Sequence, residues 1–279
     1  MINWNGALQP EDKAMVSSSD RAFRYGDAAF ETMLSRKGQV QFWEEHYFRL
    51  MAAMRILRMS IPMTYTPEYL EQEIIRTVKS ADLLGTDARI RLQVGRGPGG
   101  TYMPQSDDVY FVIEAGTLDT VPFQVGEGLH VDVFRDHKKA RNVLSSVKSS
   151  NALFYIIAAQ WARENDLDDC LILNEDNQVI ESTRSNLFLY LNDGKRLVTP
   201  EKDSGALKGI MQKKVAELSE KLGLELQERP ISPFDVLKAD EVWLTNSLRG
   251  VQSVRQYKKQ SFGSEMAQKM NGLIELQFN

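Results

Sequence analysis

Residues 88–95 set Arg89 and Arg91 alternately with Ile90, Leu92 and Val94, the period of two that marks a strand with one apolar face. Residues 169–173 read as a buried strand, and an Asn-Glu-Asp-Asn turn leads from them to a second strand at 179–181 and a third beginning at Asn186. Further strand patterns fall at 14–17, 30–35, 109–115, 130–134, 197–200 and 240–244, with hairpin turns at Lys37-Gly38 and 192–195. The period becomes helical at 42–57, and at 67–84 with Leu70, Ile74, Ile75 and Val78 inward. It is helical again at Leu153, Ile156, Ile157 and Trp161, from the 205–212 segment to 222, and at 264–278 with Met266, Met270, Leu273 and Ile274 inward. Interleaved strands and helices of these lengths predict an α/β (α+β) protein.

At 279 residues the chain is long enough for two moderate domains. A polar stretch containing Pro122 separates two strand clusters, which predicts a smaller N-terminal domain over 1–116, a linker at 117–123 and a larger C-terminal domain over 124–279. A hydrophobic content of 42%, a charged content of 26% and a formal net charge of −4 describe an ordinary globular protein without the basic footprint of a nucleic-acid binder. No apolar run reaches a membrane span, and the N-terminus shows no secretory signal. The one cysteine, Cys170, lies in an apolar strand pattern and reads as core, in keeping with a cytoplasmic protein. Three histidines without ligand-like spacing predict no metal site.

The chemistry sits at two positions. Glu181 is delivered by a strand to the start of a polar bend, and Lys148 lies just before the helical pattern that begins near Leu153, with Ser149 or Ser150 as N-cap. The positive end of a helix disfavours a second positive charge and depresses its pKa, which is what a Schiff-base lysine needs. Pyridoxal chemistry uses such a lysine together with an acid on the pyridine nitrogen. Lys138 and Lys139, in a charge-rich loop, rival Lys148 on chemistry alone. The glycine-rich stretch after Arg96 lacks the Gly-Lys-Ser/Thr of a phosphate loop, whereas the loop ending in Gly209, Ile210 and Met211 offers helix-start amides to a phosphate.

Lys148 with Asn151, followed by Glu181-Ser-Thr-Arg-Ser-Asn186-Leu187, resembles the class IV aminotransferases, the fold-type IV pyridoxal phosphate enzymes. The resemblance extends to Asp20-Arg21, Gly26-Asp27 and Phe30-Glu31-Thr32, and to His46-x-x-Arg49-Leu50. It implies a two-domain D-amino-acid-aminotransferase-like fold with pyridoxal 5′-phosphate at the domain interface, and Lys148 as the catalytic residue, carried by the C-terminal domain. Glu181 then takes the ring nitrogen. Arg49, Gly209, Ile210, Met211, Thr245 and Asn246 hold the phosphate, and Asn186 completes the cofactor set. Tyr25, Phe30, Arg89, Arg91, Arg96 and Tyr102 fall on the substrate side, with the three arginines equal candidates for a substrate carboxylate. Lys138 and Lys139 miss the family spacing and read as solvated; His46 reads as a packing or hydrogen-bonding residue. A homodimer acting on a small amino substrate that bears a carboxylate is also implied, with neither nucleic acid nor membrane as partner.

Three branches divide the family. The Arg-x-His carboxylate trap of D-amino-acid enzymes is missing after Arg96-Gly97, and the asparagine-tyrosine pair and Gly-Ile-Thr-Arg turn of branched-chain enzymes are replaced here by Asn151 alone and Gly209-Ile210-Met211-Gln212. Lys148-x-x-Asn151-x-Leu153, Gly209-Ile210-Met211 and Thr245-Asn246-Ser247-Leu248 look like 4-amino-4-deoxychorismate lyase, although Thr101 and Gln212 stand where that branch usually has arginines. The leading expectation is therefore the lyase, with an amino-acid transaminase as the alternative and a silent cofactor-binding protein as a remote third.

Overall fold

The computed structural model describes every residue except 14, 15, 119 and 279. Its backbone divides into two compact units, Met1–Asp119 with Val147–Ala152, and Thr120–Ser146 with Leu153–Asn279. The first contains β1 (Ile2–Trp4), β2 (Ala7–Gln9), α1 (Arg21–Tyr25), β3 (Ala28–Arg36), β4 (Gln39–Val40), α2 (Trp43–Ile56), α3 (Pro67–Ser80), β5 (Ala88–Arg96) and β6 (Val109–Thr117). Its strands form an antiparallel sheet in the order β2-β1-β6-β5-β3-β4. Ile90, Leu92 and Val94 are fully buried, as their alternation predicts, in one cluster with Leu50, Met54, Leu70, Ile74 and Val78. Each such side chain contributes roughly 1.5–3 kcal/mol by leaving water. The β3–β4 turn places Lys37 and Gly38 at φ 51° and 77°, the left-handed pair of a tight hairpin. Helix α3 stops four residues before the expected end because Asp82 turns left-handed at φ 59°. Of the strand expected at 14–17, residues 14 and 15 lie outside the described residues, and Val16 and Ser17 form no strand.

The segment 147–152 belongs with this first unit, which differs from the expected placement of Lys148 in the C-terminal domain. The cause is backbone pairing: Phe30 N donates to Lys148 O at 2.9 Å and Ser150 N to Ala28 O at 2.8 Å, so the segment lies along β3.

The second unit holds β7 (Leu129–Lys139), α4 (Leu153–Glu164), β8 (Asp169–Asn174), β9 (Val179–Ser182), β10 (Asn186–Leu191), β11 (Arg196–Thr199), α5 (Ile210–Ser219), β12 (Glu225–Glu228), α6 (Pro233–Leu237), β13 (Glu241–Asn246), β14 (Gly250–Tyr257), β15 (Gln260–Ser261) and α7 (Glu265–Glu275). The order β10-β13-β14-β7-β8-β9 closes on itself, because β9 pairs back onto β10 through Glu181 and Asn186. Strand β8 is buried on both faces: Leu171 and Leu173 join one cluster with Val131, Val133 and Val242, while Cys170 and Ile172 join another with Ala158 and Ala162. Burial pushes the Cys170 thiol up to about 12, so it is inert core.

Helix α4 buries only part of the face its spacing marks, Trp161 packing against Phe134. Ala158 and Ala162 are buried, whereas Leu153, Ile156 and Ile157 are 63%, 51% and 40% exposed. The small alanines allow close approach to β7 and β8, with Cys170 Sγ 3.3 Å from Ala158 O, and that turns Leu153, Ile156 and Ile157 outward.

Candidate active site

Helix α1 and the turn after it explain most of the 20–32 motif. Asp20 caps α1 by accepting from Phe23 N at 2.8 Å, and its other oxygen takes the Tyr110 hydroxyl at 2.6 Å. Gly26 ends the helix at φ 66°, where an added Cβ would lie 3.0 Å from Asn151 N. Asp27 Oδ2 is shared by Arg21 Nε at 2.8 Å and Arg96 Nε at 2.9 Å. Arg21 also donates to the carbonyls of Gly99, Thr101 and Tyr102, which ties the 97–104 loop to the helix.

Arg96 is correspondingly withdrawn from the substrate side expected of it. It is 5% exposed and donates to Asp27, to Asp107 and to the carbonyls of Leu57 and Arg58. Arg89 is exposed. Arg91 differs from both: Thr32 is its partner across β3, its guanidinium carbon sits 3.9 Å from the centre of the Phe30 ring, and Nη2 donates to Gln93 Oε1 at 2.7 Å. Burial draws the Arg91 guanidinium below its ordinary range, with the Glu114 charge opposing. Lys148 Nζ lies over the same Phe30 ring at 4.3 Å, and Ser150 Oγ reaches Gln93 Oε1 at 3.1 Å. Phe30, Arg91 and Lys148 thus share one face. Lys148 stands five residues before α4, so the helix-end argument does not apply to it, and neither Ser149 nor Ser150 caps that helix. Tyr25 and Tyr102 lie with ring centres 5.9 Å apart, Tyr102 being 90% exposed.

On the opposite face of β3, Glu31 is buried against α2. It accepts from Arg49 Nε at 2.8 Å and Nη2 at 2.5 Å, and its Oε2 lies 2.7 Å from His46 Nδ1. Burial pushes the Glu31 carboxyl up, but the Arg49 charge and the hydrogen bonds of Arg49 and His46 outweigh it and hold the group down at about 2. Burial also lowers His46, against the pull of Glu31, which leaves a neutral imidazole donating from Nδ1. This agrees with a hydrogen-bonding role for His46. Both groups lose protons more readily folded than unfolded, so their stabilisation is complete above the unfolded ranges and is lost on acidification. For Glu31 the window runs from about 4.5 down to about 2 and contributes about 3 kcal/mol; His46 adds to the loss below about 6.5. Chemical denaturation between pH 6.5 and 2.5 should show this slope, and Glu31→Gln should flatten its lower part.

In the second unit Glu181 is 3% exposed at the seam of β9 and β10. Its Oε1 accepts from Lys139 Nζ at 2.6 Å and from the Tyr155 hydroxyl at 2.7 Å, and its Oε2 from Leu207 N at 2.9 Å. Lys139 corrects the expectation of a solvated lysine. Strand β7 runs past Phe134 through an irregular register and pairs Lys139 with Asn174, so the ammonium is carried inward, with a side chain 11% exposed. Burial and the Glu181 charge push the Tyr155 hydroxyl far above its usual range, fixing it as a donor. Asp169 braces the bend behind Glu181, accepting from Ser182 Oγ, Thr183 N and Thr183 Oγ1.

Asn186 connects the residues expected around a phosphate. It faces Thr245 across β10 and β13, its Nδ2 donates to Leu207 O at 2.7 Å, and a Cβ on Gly209 would fall 1.8 Å from its Oδ1. Gly209 precedes α5 and offers no side-chain cap, so the first amides, those of Ile210 and Met211, open the helix. Thr245 Oγ1 is buried with no hydrogen-bond partner among the described residues. Asn246 is engaged in the following turn, accepting from Leu248 N and Arg249 N and donating to Ser185 Oγ.

Residues 28–257 match the family model for amino-transferase class IV. The chain belongs to the class IV aminotransferase family. Its relatives include the aminodeoxychorismate lyase of Vibrio harveyi, 30% identical over 86% of each chain. A putative branched-chain-amino-acid aminotransferase of Methanocaldococcus jannaschii is 30% identical over 88% of this chain and 84% of the relative. Among solved structures, the T.th. branched-chain amino acid aminotransferase with pyridoxamine 5′-phosphate has a TM-score of 0.87 at 25% identity, covering 98% of this chain and 91% of that one. Membership in the family therefore rests on nearly the whole chain. Among the described residues no group of three or more His, Cys, Asp or Glu could hold a metal ion, and no helix is long and apolar enough to cross a membrane.

Proposed function

We propose that this class IV enzyme binds pyridoxal 5′-phosphate and acts as an aminodeoxychorismate lyase, releasing pyruvate and 4-aminobenzoate. The cofactor fits the residues present. The unpartnered Thr245 hydroxyl and the open start of α5 provide donors for a phosphate, and the bare Cα of Gly209 lets Asn186 pack against that helix start. Arg49, held by Glu31 through Nε and Nη2, keeps further guanidinium donors of the kind a phosphate takes. Lys148 provides the amine for the aldehyde and Glu181 the acid for the ring nitrogen. When bound, the cofactor supplies an aldehyde and an electron-withdrawing ring. Lys148 then takes the proton from the substrate's C4 and returns it to the departing oxygen as the C3–O bond breaks; the enolpyruvate released tautomerises to pyruvate, and the carbocycle becomes aromatic.

The observation that carries the lyase reading is the 97–104 loop. It has no cationic side chain, and Arg96 at its root is turned into the protein, so the carboxylate trap of a D-amino-acid enzyme is lacking there. The Vibrio harveyi relative supports the same branch. A transaminase is the second reading, favoured by the equally similar Methanocaldococcus jannaschii relative. Purified, cofactor-loaded protein given 4-amino-4-deoxychorismate decides between them. Stoichiometric pyruvate and 4-aminobenzoate without a keto-acid acceptor supports the lyase; no release, with conversion of the cofactor to its pyridoxamine form by an amino acid, replaces it with the transaminase.

Of the three arginines, Arg91 takes the substrate carboxylate, because it shares a face with Lys148 and is poorly solvated. Arg91→Met should raise KM by roughly 10- to 100-fold, the loss of a charge-assisted hydrogen bond. Arg89→Met should change KM less than about twofold; steady-state kinetics of the two variants separates them. A homodimer would cover the outward Leu153, Ile156 and Ile157 of α4 and the exposed Val143 and Leu144.

A further inference from the structure

Among the described residues, three donors hold Glu181 before any ligand is counted. A carboxylate has about four acceptor positions. Lys139 and Tyr155 occupy Oε1, and the Leu207 amide takes one position on Oε2. Lys139 is fixed in turn: it also donates to Ser145 O at 3.1 Å and lies 5.3 Å from the centre of the Tyr155 ring. One acceptor position, on Oε2, remains for a further donor.

We propose that Lys139 and Tyr155 are positioning residues that clamp Oε1 of Glu181, present Oε2 to the ring nitrogen of the cofactor, and keep the shared proton on that nitrogen. The inference rests on the functional reading above, in which Glu181 faces the ring. The direction of the effect follows from charge. The Lys139 charge lies 2.6 Å from the carboxylate, and a ring nitrogen bound at the other oxygen is farther from it. A carboxylate is the partner that both the Lys139 ammonium and a protonated ring nitrogen pair with, so the proton stays on the ring. The Tyr155 hydroxyl acts in the same direction as a neutral, weaker donor.

The test uses holoenzyme loaded with pyridoxal 5′-phosphate labelled with 15N in the ring, read by the ring 15N chemical shift and the visible absorption spectrum. Lys139→Met should move the resonance toward that of unprotonated pyridine, Lys139→Arg should restore it, and Tyr155→Phe should move it in the same direction by less. A wild-type resonance in cofactor-loaded Lys139→Met overturns the proposal. Should that variant fail to fold or to hold the cofactor, Tyr155→Phe decides alone: its hydroxyl is gone while the ion pair stays, and an unchanged resonance overturns the clamp. Glu181→Gln separates the two levels. A wild-type resonance there overturns the placement of Glu181 on the ring, and with it the functional reading; a shifted resonance there with an unchanged Lys139→Met overturns the clamp only.

Discussion

Replacing Lys148 with alanine is expected to lower turnover by roughly 10⁴-fold or more, because one side chain is assigned both the covalent link and the proton transfer. The fold should survive. What anchors this segment is main chain, the Phe30 N to Lys148 O and Ser150 N to Ala28 O bonds, which alanine keeps. Among the side chain's contacts, the one with the face of Phe30 contributes about 0.5–1 kcal/mol for a cation over a ring at a partly exposed site. Circular dichroism and thermal melting should therefore stay near wild type while activity and the absorption band of the lysine-bound cofactor disappear together. Lys139→Ala provides the control. Its ammonium is engaged by Glu181 and Ser145, so its loss should leave the cofactor covalently bound, with the band shifted and not abolished. Full turnover in Lys148→Ala, or a band lost in Lys139→Ala and kept in Lys148→Ala, would remove Lys148 from its role.

The strands and helices that stabilise each unit were legible because their residues are sorted by a single local period. Alternation along 88–95 reports burial of Ile90, Leu92 and Val94 directly. Helix α4 shows where a local pattern misleads: large apolar side chains at helical spacing point to a buried face, but packing density favours the side that approaches most closely, here Ala158 and Ala162. Lys139 was missed for a related reason. Its inward course depends on the irregular register of β7 beyond Phe134, which a count along the chain does not contain.

The candidate site divides the same way. Residue type and spacing mark Lys148 and Glu181 as candidates, with Lys138 and Lys139 as rivals, and it is the family resemblance that selects Lys148. Partnerships formed across long sequence separations carry no such mark, as with Arg96 turning to Asp27, Leu57 and Arg58, or Glu31 aligning Arg49. Several residues of the 20–32 motif serve geometry: Asp20 caps a helix, Gly26 ends it, and Asp27 joins two arginines. A motif therefore marks a site without saying which of its members meet the substrate.

Glu181→Gln carries the second large effect, and it should appear in stability as well as in catalysis. The isosteric amide retains one oxygen, enough to accept from Lys139 and Tyr155, but it brings an NH2 group toward the Leu207 amide, which now lacks an acceptor. It also leaves the Lys139 ammonium, 11% exposed, without its counter-charge. Breaking one side of a buried pair costs about 3–5 kcal/mol, and the retained oxygen should hold the loss near the lower end. Turnover should fall by roughly 10²- to 10³-fold, the range for removing one preorganised electrostatic group at a reacting centre. Combining Glu181→Gln with Lys139→Met tests whether the two losses have one cause. Removing both charges leaves no unpaired ion, so the double variant should regain part of the stability lost in Glu181→Gln while its turnover stays low. A double variant whose stability loss equals the sum of the single losses would mean that Lys139 and Glu181 act independently, whatever their 2.6 Å separation.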